Sequence, residues 1–167
     1  GANGLGGSIT ATGSVWGAGG NTTFTITPNP HYHVTDVMVD GASVGATSGW
    51  TFVNVTNAGH TIGATYGVDQ YDLTVTSLYG APAPVGTTRS DWNTLIEAGV
   101  GSPVADGAAT RYACTGWAGT GSATNGTGTN ASFRIAEDTT LAWLWKTQYL
   151  VTATTGANGG IAPAAPA

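Results

Sequence analysis

Three histidines and a few aspartates are the first side chains to weigh for chemistry. His31 and His33 stand two apart, a spacing that on a strand turns both rings to one face, with Asp36, Asp40 and His60 as further donors. A zinc site needs four ligands, or three and a water, and no third and fourth ligand is identifiable here. The group therefore reads as surface polar residues. Asp36, Asp40, Asp69 and Asp72 carry oxygens that calcium accepts, but no loop has the regular acidic spacing of a calcium site. Turn formation accounts for Asp40, and linker solvation for Asp69 and Asp72.

Lys146 is a candidate for an intramolecular isopeptide bond to an asparagine, with Glu97 or Glu137 assisting. Its place at a strand end makes a solvated or interface lysine the plainer reading. Cys114 stands alone, so no disulfide framework exists. Between Tyr112 and Trp117 it reads as a small core residue. Trp16, Trp50 and Trp92 would suit a sugar-stacking platform, but aromatics more commonly fill cores and interfaces. Asn21, Asn54, Asn125 and Asn130 sit in Asn-x-Ser/Thr sequons. No Ser/His/Asp set or carboxylate pair is recognisable, and the glycine-rich stretches lack a lysine and a following helix. The sequence thus offers no catalytic, cofactor or metal site, and a non-enzyme is expected.

Composition narrows the partners. Charged residues make up 8% of the 167, against roughly 25% in ordinary domains. One lysine and three arginines cannot neutralise a run of phosphates, which argues against nucleic acid. No apolar run approaches the ~20 residues of a membrane helix, so membrane insertion is not expected. Low charge would also suit disorder, but six tryptophans and regular alternation oppose it. The 29 threonines and 27 glycines point to strands and turns, hence an all-β fold. A surface of Thr, Ser, Asn and Gly with almost no lysine suits an extracellular or cell-surface protein. The chain opens without an initiator Met or signal peptide and is read as processed or excised.

The elements that must carry these residues follow in order. A short strand is expected at Ser8–Thr12. In Thr22–Thr27, Phe24 and Ile26 face inward and the threonines outward, until Pro28 ends the run. Tyr32 and Val34 share one parity, Val37 and Val39 the other. One extra residue at Thr35–Asp36, a β-bulge, restores the phase. Asp40-Gly41 is a hairpin turn, and strands are expected at Gly49–Val55 and His60–Tyr66. In the second half Tyr71–Thr76 opens a new unit. Ser90–Ala98 could hold a helical turn capped by Ser90 or Asp91, but by its position a strand is expected. Arg111–Trp117 is a clear strand. Ala131–Ile135 and Thr140–Trp145 are expected to form a closing pair that turns at Glu137-Asp138.

The two halves align. His31–Val37 matches Arg111–Trp117, with the aromatic, the small apolar residue and the bulge in the same places. Phe52 matches Phe133, while Ile62 and Tyr66 match Leu141 and Trp145. Phe24–Pro28, His31–Gly41, Trp50–Thr56 and His60–Tyr66 together resemble the internalin B-repeat-like modules, the bacterial repeat domain of surface proteins. Arg111–Trp117 and Trp143–Tyr149 resemble a divergent relative. The resemblance implies small β-grasp-like domains in tandem, and a stalk, spacer or adhesive role in an exported protein. The expected domains are residues 1–66, a linker at 67–70, a second domain at 71–147, and a tail at 148–167.

The tail carries the most informative phrase. Gly156-Ala157-Asn158-Gly159 replays Gly1-Ala2-Asn3-Gly4. Before the replay stands a strand-like run, Tyr149-Leu150-Val151-Thr152-Ala153-Thr154-Thr155, which imitates Tyr71–Thr76. Leu150 and Thr152 take one face, and Tyr149, Val151 and Ala153 the other. The expectation is that the first domain lacks its opening strand and that this run supplies it to the next copy. The acceptor region is Gly1, Ala2, Asn3, Gly4 and Ile9. The copy would be a separate subunit in a head-to-tail filament or the next repeat of a covalent stalk. A carbohydrate-binding module that takes surface glycans is the alternative.

Overall fold

The computed structural model describes residues 6–12, 19–57, 59–160 and 162. The fold is all-β, with thirteen strands and no helix among the described residues. In chain order these are β1 (Gly7–Thr12), β2 (Gly20–Pro28), β3 (Tyr32–Val39), β4 (Ala42–Ser43), β5 (Gly49–Val55), β6 (Ile62–Val68) and β7 (Gln70–Thr76). There follow β8 (Gly86–Asp91), β9 (Leu95–Gly99), β10 (Val104–Asp106), β11 (Thr110–Thr120), β12 (Asn130–Arg134) and β13 (Thr139–Tyr149). Contacts divide the chain into two compact units. One takes the described residues up to Tyr71 and the segment Ser90–Asn93; the other takes Asp72–Arg89 and the described residues from Thr94 on.

The first unit holds two three-stranded sheets, in the orders β1-β2-β5 and β4-β3-β6. Alternation puts Thr22, Phe24 and Ile26 of β2 on the inner face. Ile9 and Ile26 from one sheet meet Val37 and Val39 from the other, and Phe24, Val34, Trp50, Phe52, Ile62, Ala64 and Tyr66 close around them. The register of β3 against β6 slips between Val34 and Asp36, so the expected bulge is present. It moves the inward set from Val34 to Val37 and Val39. Asp40 and Gly41 both take positive φ, 50° and 81°, as a two-residue hairpin turn requires.

The second unit has a five-stranded sheet, β10-β11-β13-β7-β8, and a β12-β9 pair. Its buried side chains include Leu73, Val75, Ile96, Ala98, Ile135, Leu141 and Trp143. The register of β11 against β13 slips between Cys114 and Gly116. Val34 and Cys114, Asp36 and Gly116, Ile62 and Leu141, Tyr66 and Trp145 thus occupy the same places in the two units, as their sequences align. The match reaches the other sheet. Ile26 N–H donates to Ser48 O at 2.8 Å, and Val100 N–H to Thr129 O at 3.0 Å. Both acceptors stand four residues before the matched phenylalanines.

Two expectations are corrected and one ambiguity is resolved. Ala131–Ile135 and Thr140–Trp145 do not pair with each other: β12 pairs with β9, and β13 with β11 and β7. Between them the chain passes from one sheet to the other, held by Ser122 Oγ, which accepts Ala136 N–H at 2.8 Å and Glu137 N–H at 3.3 Å. Ser90–Ala98 resolves to the strand reading: β8 ends at Asp91 and β9 starts at Leu95, with Trp92 and Asn93, the latter at φ 66°, in the turn between them. The linker at 67–70 shrinks to Asp69, because β6 runs to Val68 and β7 starts at Gln70.

Candidate functional site

The polar residues singled out in the sequence do not converge on a metal. His33 Nδ1 lies 2.8 Å from Asp69 Oδ1, and His60 Nδ1 lies 2.7 Å from Asp40 Oδ2. His31 instead stacks on Trp92 at 4.3 Å, and Asp36 accepts the Ser43 hydroxyl at 2.6 Å. Among the described residues no three His, Cys, Asp or Glu side chains form a metal-holding group. Asp72 takes Arg89 at 3.7 Å, an exposed pair. Lys146 is exposed and lies opposite Ala113, so no asparagine faces it across the strand. Cys114 Sγ sits 3.3 Å from Gly128 O. Two sequon asparagines are used internally: Asn21 Oδ1 accepts Asn54 N–H at 3.0 Å, and Asn125 Oδ1 accepts Gly119 N–H at 2.9 Å.

The described tryptophans do not form an exposed platform either. Trp16 lies outside the described residues. Trp50 packs into the first core, Trp143 is buried, and Trp117 and Trp145 donate their indole N–H groups to Thr124 O and Ser77 Oγ. No described tryptophan is exposed. A cleft of about 680 Å³ in the second unit is lined by Ala105, Gly107–Arg111 and Gln148–Val151. Its one charged side chain, Arg111, is tied by Nε to Gln148 Oε1 at 2.7 Å, which leaves little with which to do chemistry.

Strand edges carry more information. In the second unit β7 lies parallel to β13, with Leu73 opposite Thr139, Thr74 opposite Thr140, Val75 opposite Leu141 and Thr76 opposite Ala142. Leu73, Val75 and Leu141 are fully buried as a result. In the first unit β6, the counterpart of β13, pairs with β3 alone among the described residues. Ile62, the counterpart of Leu141, is only half-buried. The edge that β7 covers in one unit has no paired strand in the other among the described residues.

Backbone geometry sets what this edge presents. Thr61 N–H donates to Asp40 Oδ1 at 2.7 Å, and Thr61 O accepts Asp40 N–H at 3.0 Å. Both Thr61 groups therefore point toward β3. Alternation along an extended chain turns those of His60 and Ile62 to the side away from β3. The hydrogen bond from His60 and the one from Thr61 N–H hold the Asp40 carboxyl below the ordinary aspartate range. In the second unit Thr120 stands where Asp40 does, and its Oγ1 accepts Thr140 N–H at 3.3 Å.

Tyr149 ends β13. Leu150 to Thr155 form no strand, and all are exposed, Val151 at 88%. Leu150 N–H donates to Ala109 O at 2.8 Å, which fixes only the root of the run. Of the expected acceptor residues, Gly1, Ala2, Asn3 and Gly4 lie outside the described residues. Ile9 is buried and pairs with Ile26. The residues missed by sequence reasoning are His60–Gly63. Their signal was the match of Ile62 to Leu141, whose partner Val75 belongs to an opening strand. No family model, curated protein or solved structure matches the chain.

Proposed function

We propose that this chain is a non-enzymatic, extracellular structural protein whose copies join head to tail by strand donation. The observation that carries the reading is a complementary pair. Tyr149–Thr155 repeats the pattern of β7 yet lies exposed, and β6 pairs on one edge alone among the described residues where its counterpart β13 is covered by β7. An open strand edge recruits further strands, because its N–H and C=O groups and the core beside it are unfilled. Such a contact joins two different surfaces and does not close, so it propagates into a filament. The threonine-rich, lysine-poor composition and the resemblance to surface-protein repeats support an exported role. A glycan-binding role finds no exposed tryptophan among the described residues.

A covalent array of the same repeat is the second reading, favoured by the replay of Gly1–Gly4 in Gly156–Gly159. There the strand would come from a neighbouring repeat of one chain. Electron microscopy of native material, with the mass of the same material after denaturation, tests both. Filaments that dissolve to 16.6 kDa chains support donation between subunits. A mass several times larger supports the covalent array. Particles that stay single at every concentration contradict the filament.

A further inference from the structure

We infer that the donated strand runs parallel to β6 of a second copy of this chain, with Val151 opposite His60, Thr152 opposite Thr61 and Ala153 opposite Ile62. This rests on the strand-donation reading above and fixes its direction and register. Three observations carry it.

First, Gln148-Tyr149-Leu150-Val151-Thr152-Ala153-Thr154 repeats Gln70-Tyr71-Asp72-Leu73-Thr74-Val75-Thr76 at matched positions. Val151 and Ala153 therefore stand for Leu73 and Val75, the two inward residues of β7. Second, the bulges place Ile62 at the position of Leu141, so the parallel register of β7 on β13 transfers to β6 without a gap. Third, the Asp40 side chain and backbone take both Thr61 backbone groups, as the Thr120 side chain takes Thr140 N–H. The groups left for an incoming strand are those of His60 and Ile62, and a parallel strand bonds such a residue through the two that flank its partner. On the solvent face, Thr152 would meet Thr61 as Thr74 meets Thr140.

The test uses full-length chains carrying Cys114→Ala and one further cysteine, mixed in pairs and treated with a short thiol-to-thiol reagent. Thr61→Cys is mixed in turn with Leu150→Cys, Thr152→Cys and Thr154→Cys. Gly63→Cys, at a position where an added Cβ meets nothing within 4 Å, is mixed with the same three. A two-residue offset moves partners apart by roughly 7 Å along the strand. The expected result is a maximum at Thr152 for Thr61 and at Thr154 for Gly63, several-fold above the other mixtures. A maximum at Leu150 for Gly63 overturns the parallel direction. Equal yields, other maxima, or no cross-linking in chains that still assemble overturn the register while leaving strand donation standing. Failure of the wild-type chain to assemble at all defeats the reading beneath it.

Discussion

Val75 lies opposite Leu141 in the parallel pair of β7 and β13, and both side chains are buried. Ile62 holds the place of Leu141 in the first unit and is half-buried. Truncation should therefore cost unequal amounts. Leu141→Ala removes a fully packed side chain and is expected to cost about 2–5 kcal/mol. Ile62→Ala in the unassembled chain should cost less, because part of that side chain already faces water. Urea unfolding at low protein concentration checks the order of the two, and equal losses would mean that Ile62 is as well covered as Leu141.

The bulge of β11 has a backbone requirement that β3 lacks. Gly116 sits at φ 141°, and a Cβ there would clash with Gly126 O. Its counterpart Asp36 tolerates a side chain. Gly116→Ala should destabilise the second unit by roughly 1–3 kcal/mol through strain and clash. Asp36→Ala should cost far less, losing only an exposed bond to Ser43. Thermal unfolding of the two variants gives the comparison.

Acid should loosen the turn that leads into β6. The Asp40 carboxyl is held below its ordinary value of 3.8 by His60 and the Thr61 N–H. A lowered pKa contributes stability that is present above the unfolded value and is lost as pH falls through the folded one. Hydrogen exchange at Thr61 should therefore accelerate below about pH 4. In Asp40→Asn that acid step should vanish. Protection at Thr61 that does not change with acid in the wild type would contradict the clamp.

At the alkaline end the sign reverses. The Asp106 carboxylate accepts the Tyr112 hydroxyl at 2.8 Å, and this bond, with a further hydrogen bond to Tyr79, pushes the Tyr112 phenol well above its ordinary range. A raised pKa gives stability that is full below the unfolded value, about 10, and is lost as pH rises through the folded one. Absorbance titration should show the Tyr112 phenol ionising well above its ordinary range, and Tyr112→Phe should remove that step. Asp106→Asn should bring Tyr112 back toward its ordinary value.

Residue type and parity made the inner faces legible. Alternation in Thr22–Thr27 and the phase change between Val34 and Val37 located β2 and the bulge, because a period of two responds to a single inserted residue. Pairing partners were not legible. Parity says which face Phe133 takes but not that β12 joins β9, since the crossing between sheets depends on Ser122, distant in sequence from the chain it holds. Ser90–Ala98 stayed ambiguous because Ser90 and Asp91 look like a helix cap, and only its position pointed to the strands found there. In the candidate site, Tyr149–Thr155 stood out as a copy of β7. The proposed accepting edge at His60–Gly63 did not, because an edge is defined by what does not pair with it, here any strand but β3 among the described residues, and it shows only beside the covered β13.

Sedimentation velocity of the wild-type chain beside Val151→Asp, across a wide concentration range, tests the central claim most directly. A donated Val151 fills the place of buried Leu73, and burying such a side chain contributes about 1.5–3 kcal/mol, whereas an unpaired carboxylate there is strongly disfavoured. Wild-type chains should grow into larger species as concentration rises, and Val151→Asp, altered at an exposed position of the single chain, should stay folded and monomeric. Wild-type chains that remain monomeric throughout, or Val151→Asp chains that assemble equally well, would contradict strand donation.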